Sequence, residues 1–292
     1  MQHDNHTSAV TARRRLQLGS AWMLVAAVFF ALMGFFVKLG AHDFSSTELV
    51  FWRTLLGVLT LGGAALVRGE KFVTPHWRYH VQRGLIGYVS LLLYFYAIAH
   101  LPLSTAVTLN YTSPMFLALL SVFLLRETLP ARALLALVLG FGGVVLLLRP
   151  TLSGDTWQAG LMGVGSGVLA GWSYLHVREL GRLGEPEWRV VFFFALISTL
   201  GGALLVGLEG WHPLTWQNVW PLLGLGVTAT LAQLAMTRAY KVGRKLLVAN
   251  LSYLTVVFST LLGVLVWGDR LTLDAILATL LIVVSGMLAS RR

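Results

Sequence analysis

The sequence is written twice. Shifting the chain against itself by about 141 residues lays Lys38-Leu39-Gly40 on Glu179-Leu180-Gly181 and Phe51 on Phe192. With a drift of one residue either way, Ala99 falls on Ala239, Tyr111 on Tyr253 and the run 124–129 on 266–271. Each copy carries five apolar runs: 20–40, 46–67, 81–100, 104–125 and 131–149, then 157–177, 188–207, 218–238, 246–267 and 271–289. Each run has about the 20 residues that a helix needs to cross roughly 30 Å of hydrocarbon. Five is odd, so a second copy must enter the bilayer the opposite way round. The expected fold is an all-α integral membrane protein with ten transmembrane helices arranged as two inverted five-helix repeats. The divisions expected are a cytoplasmic tail over 1–19, a first repeat over 20–149, an external linker over 150–156 and a second repeat over 157–290.

Composition agrees with this class. Of the 292 residues, 57% are hydrophobic and 12% charged, about half the charge that a soluble domain needs to cover its surface. The net charge of +10 would suit nucleic acid, but its distribution argues for topology. With the amino terminus placed in the cytoplasm, 18 of the 22 basic residues, Arg83 and Arg189 among them, fall on internal segments. Lys38, Arg149 and Arg270 fall at external ends, and Arg53 within a span. This positive-inside pattern places both termini in the cytoplasm, and the expected location is a bacterial inner membrane. The expected partners are the lipid bilayer and a small-molecule substrate, with no nucleic acid, for a monomer or homodimer.

The chain has no cysteine, which excludes disulfides and thiolate chemistry. No Walker loop, His-Glu-x-x-His pattern or Gly-x-Ser-x-Gly elbow occurs. No enzymatic activity, cofactor or metal site is therefore expected.

The polar residues sort the helices. In the third run, Arg83, Gly87, Ser90 and Tyr94 recur at steps of four, three and four, one stripe along one face. The eighth repeats the device with Gly226, Thr230, Gln233 and Thr237. Such groups avoid lipid, so they turn toward a neighbouring helix or a wet cavity. The fourth and ninth runs add Asn110, Tyr111, Ser113 and Pro114, and Asn250, Ser252 and Tyr253. Pro114 removes a hydrogen bond and is expected to kink its helix. In the sixth run, Gly163, Gly167 and Gly171 suggest close helix contact, and Trp172 a stacking surface. Runs five, seven and ten, including 192–194, look lipid-facing or scaffolding. The candidate substrate-binding residues are Arg53, Ser90, Tyr94, Asn110, Tyr111, Trp172, Gln233 and Tyr253. Pro114, Glu127 and Asp269 are candidates for kinking or gating. Glu127 and Asp269 close equivalent helices, and with no carboxylate deep in a span, coupling through a midplane acid is not expected.

The two repeats, Arg53, Ala97-Ile98-Ala99, Pro114, the run 124–129 and the glycines at 140 and 143 resemble the drug/metabolite transporter superfamily in its ten-helix EamA-type branch. The stretch 110–114 and Trp172 are similar to positions in aromatic amino-acid exporters of the YddG type. Ser113 departs from the larger aromatic residue of that pattern. The resemblance implies a central cavity lined by helices 1–4 and 6–9, alternating access, and export of amino acids and similar metabolites. The alternative is an importer or exchanger of a nucleoside-like or vitamin-like metabolite. From a different class, a membrane receptor or membrane enzyme would leave the repeat without a purpose.

Overall fold

The computed structural model describes residues 2–113, 115–116, 119–120, 131–152, 156–243, 248 and 251–290. Among these it contains ten helices: α1 (Gln2–Gly40), α2 (Ser46–Val67), α3 (Trp77–His100), α4 (Leu103–Asn110) and α5 (Ala131–Leu152) in the first half. The second half holds α6 (Trp157–Arg182), α7 (Glu187–Glu209), α8 (Val219–Val242), α9 (Leu254–Trp267) and α10 (Leu273–Ser290). Five segments are long and apolar enough to cross a membrane: Gly19–Gly40, Ser46–Val67, Trp77–His100, Glu187–Glu209 and Val219–Val242. The apolar parts of α9 and α10 are shorter. Large apolar side chains such as Leu200, Leu204 and Leu265 point outward and are more than half exposed, a surface suited to lipid and costly in water.

The packing repeats between the halves. Helix α1 lies against α8 as α6 lies against α3, and α1 meets α9 as α6 meets α4. Helices α2 with α7, α4 with α9 and α5 with α10 pair with their own counterparts. Exchanging the two halves therefore returns these same pairings.

Both copies also interrupt a helix at the aligned tyrosine. Helix α4 stops at Asn110, and the chain turns through Tyr111 and Thr112 before Met115 N and Phe116 N pick up Thr112 O at 2.9 and 3.2 Å. Pro114 lies outside the described residues, but proline has no N–H to offer the Asn110 carbonyl, which is a sufficient cause for the stop. In the second half, the turn falls at Tyr253 and α9 begins at Leu254, although Val256 stands where a proline would. The two tyrosine rings meet with centroids 6.2 Å apart. Helix α6 approaches the first break closely because Gly167 has no side chain. A Cβ there would lie 2.3 Å from Thr112 Oγ1 and 2.8 Å from Leu109 O. The glycine ladder is thus a close helix contact, as its spacing suggests.

Candidate functional site

Where the first three helices meet α4, α6, α7 and α8, they leave a cavity of about 60 Å³. Six of the eight candidates, Arg53, Ser90, Tyr94, Asn110, Tyr111 and Gln233, line it. The α3 stripe arrives complete, since Arg83 and Gly87 line it too.

Two guanidinium groups dominate the site. Arg53 and Arg83 are each only 3% exposed. Nε and Nη1 of Arg53 and Nε of Arg83 have no hydrogen-bond partner, and no ion pair involves either arginine among the described residues. Both lie against the ring of Phe194, with guanidinium carbons 5.6 Å (Arg53) and 4.1 Å (Arg83) from its centroid, and Arg53 also lies 5.8 Å from the Phe95 ring. A cation over an aromatic ring recovers about 0.5–2 kcal/mol. Withdrawing an ion from water costs several kcal/mol. The rings therefore offset only part of the cost, and the remainder calls for water or an anion in the cavity.

Arg83, which counts among the basic residues of internal segments, lines the cavity as its place on the α3 stripe suggests. Helix α7 is not merely lipid-facing, because Phe194 is the ring beneath both arginines. The aligned partner of Arg53 in the second copy is therefore its aromatic support.

Several candidates are already engaged with other helices. Ser90 Oγ donates to Ser166 O at 2.8 Å, and Asn110 Nδ2 donates to Ser166 Oγ at 2.9 Å. The Tyr111 hydroxyl donates to Thr255 Oγ1 at 2.7 Å. By contrast, Gln233 Oε1 and the Tyr253 hydroxyl are buried without a partner. Tyr253 reaches the site through its contact with Tyr111 rather than by lining the cavity.

Trp172 lies away from the cavity. It is 38% exposed, and the inward residues of α6 are Ala170, Ser173 and Tyr174. At 3.6 residues per turn, position 172 points nearly opposite to 170 and 174. Tyr174 takes the place expected of Trp172, and its ring packs 6.0 Å from that of Tyr240. The 170/173/174/177 spacing was the available signal.

Of the gating candidates, Pro114 and Glu127 lie outside the described residues. Asp269 Oδ2 accepts from Leu103 N at 3.2 Å, so the second half caps the amino terminus of α4, a favourable place for a carboxylate. Beside it, Lys38 Nζ donates to Leu101 O at 2.7 Å.

Two further carboxylates tie the halves together near the ends of α2 and α7. Glu48 completes a capping box with Ser45. It also accepts from His212 N at 2.8 Å and contacts His212 Nδ1 at 2.6 Å. Glu185, which no sequence pattern singles out, receives the Thr74 hydroxyl and Arg189 Nη1 (2.9 Å), with His80 Nε2 at 3.5 Å. Burial pushes the Glu185 carboxyl up, but the hydrogen bonds from Thr74 and Arg189 outweigh it and hold it below the usual carboxylate range. A depressed carboxyl contributes stability that is complete above its unfolded pKa of about 4.3 and lost as pH falls through the folded value. The melting temperature in detergent should therefore drop on acidification below that point, and Glu185→Gln should flatten this dependence. An unchanged profile in the variant would remove Glu185 from the account.

Paired halves with broken helices, an apolar exterior and a charged, aromatic cavity at their junction define a membrane transporter. The sequence profile of the EamA-like transporter family matches residues 17–149 and again 157–291, and the chain belongs to that family within the drug/metabolite transporter superfamily. It is 29% identical to the pseudopaline exporter CntI of Pseudomonas aeruginosa, over 94% of this chain and 97% of that one. It is also 29% identical to a riboflavin transporter of Vibrio cholerae, over 86% and 85% of the two chains. A solved crystal structure superposes with a TM-score of 0.66 at 23% identity, covering 94% of this chain and 96% of the other. That likeness speaks to the fold.

Proposed function

We propose that this transporter exports amino acids and similar carboxylate-bearing metabolites across a bacterial inner membrane by alternating access. All ten helices would cross as two inverted repeats, with both termini in the cytoplasm. The observation that carries the substrate reading is the pair of buried guanidinium groups of Arg53 and Arg83 beside the cavity, each with nitrogens that find no hydrogen-bond partner among the described residues. Arginine pairs with carboxylates through two parallel hydrogen bonds. Gln233 Oε1, a buried acceptor without a donor, suits a substrate ammonium. Tyr94, Tyr111 and Tyr174 supply apolar wall.

The cavity volume bears on mechanism. About 60 Å³ falls far short of the roughly 300–1,000 Å³ of a ligand-filled site. Substrate entry therefore needs the surrounding helices to separate, and the breaks at Tyr111 and Tyr253 are places where α4 and α9 can bend. Export finds support in the name of the Pseudomonas relative. The riboflavin transporter and the aromatic lining favour a second reading, uptake of a flat vitamin-like ring.

Inside-out membrane vesicles loaded with the protein and offered amino acids, organic acids and flavins separate the two. ATP-independent accumulation of carboxylates supports the proposal, whereas transport confined to flavins overturns it. Cysteine introduced at Ser90, Tyr94 or Gln233 should react with small water-soluble thiol reagents and be protected by substrate, against a native background free of cysteine. Inert cysteines at all three positions would remove the wet cavity.

A further inference from the structure

We propose that the cavity takes a substrate with two carboxylates, one for each of Arg53 and Arg83. This rests on the reading of the chain as a carrier of carboxylate-bearing metabolites and narrows it. The argument is one of charge. Both guanidinium groups are nearly wholly buried and line the same cavity. No carboxylate lines that cavity among the described residues. Three acids that join the halves are committed elsewhere: Glu48 to Ser45 and His212, Glu185 to Thr74 and Arg189, and Asp269 to the amino terminus of α4. The other polar groups of the lining, serine and tyrosine hydroxyls and the amides of Asn110 and Gln233, are neutral.

A single carboxylate would neutralise one guanidinium and leave the other buried without a counter-charge. Two carboxylates on one small skeleton satisfy both, because both arginines rest against the one ring of Phe194 and a compact molecule can reach each of them. The same arrangement rejects neutral analogues. An amide in place of the second carboxylate keeps one acceptor oxygen but loses the negative charge, and its NH2 group replaces the second acceptor with donors that a guanidinium cannot use. The site therefore selects on charge where the shape of the substrate barely changes.

The test uses the full-length protein in lipid nanodiscs at neutral pH and two near-isosteric pairs, L-glutamate with L-glutamine and succinate with succinamate. Isothermal titration calorimetry should show each diacid binding about tenfold or more tighter than its monoamide. Arg53→Lys, which keeps the charge, should keep that ratio, and Arg53→Gln should bring it close to one. Equal affinities within each pair in the wild-type protein would overturn the two-carboxylate inference while leaving a carboxylate carrier standing. Failure of all four probes to bind would overturn the carboxylate reading as well.

Discussion

Arg83→Gln is expected to lower transport kcat/KM by about 100-fold or more without destabilising the protein. Truncating one partner of a buried, hydrogen-bonded charge pair costs about 2–5 kcal/mol of interaction with its ligand. At 1.4 kcal/mol per factor of ten, that is a loss of roughly 30-fold to several thousand-fold. Stability should move the other way. Arg83 is buried with its Nε unpartnered and without an ionic partner among the described residues, so a neutral side chain of similar reach removes an uncompensated charge. Such replacements are neutral or stabilising. Arg53→Gln should behave alike. Proteoliposome transport and thermal unfolding in detergent, measured on the same preparation, give the readout. A variant that loses both transport and melting temperature would assign the arginines to holding α2, α3 and α7 together rather than to substrate.

The sequence made the cavity legible wherever periodicity carried the information. The steps from Arg83 to Tyr94 put four residues on one face of α3, and all four line the site. Pro114 marks the first helix break in the sequence, but nothing at Tyr253 announces the second, where Val256 stands in place of a proline. Periodicity was overridden in two places. Trp172 lies deep along its run, yet a helix decides by angle which side chains face inward, and an offset of two residues from Tyr174 turns Trp172 outward. Counting charges by segment puts Arg83 with the internal basic residues, because it cannot tell a guanidinium in water from one buried a turn or two inside. What remained hidden was tertiary. Nothing in the stretch 192–194 says that its last phenylalanine lies under two arginines from other helices. The link between Glu185 and Thr74 joins connections 111 residues apart, and no local pattern announces it.

Gly87→Ala should reproduce much of the Arg83 defect through one added carbon. A Cβ at Gly87 would lie 2.1 Å from Arg83 Nη1, 3.0 Å from Phe194 Cε2 and 3.1 Å from Ser173 Oγ. The nearest of these is the far end of a long side chain, which can swing away, so the helix survives and the guanidinium gives up its place on the ring. Helix propensity favours the substitution, since alanine in a helix interior is better than glycine by about 1 kcal/mol. Melting temperature should therefore hold or rise while transport falls about tenfold or more. The decisive measurement is the double variant. If glycine at position 87 serves only to let Arg83 lie flat against α3, Gly87→Ala has nothing left to displace in an Arg83→Gln background, and the double variant should transport as poorly as Arg83→Gln alone. Residues that share one partner fail to add in this way. Fully additive losses would instead mean that the new methyl group acts on the contact between α3 and Phe194, and that the position of the guanidinium does not depend on the glycine beneath it.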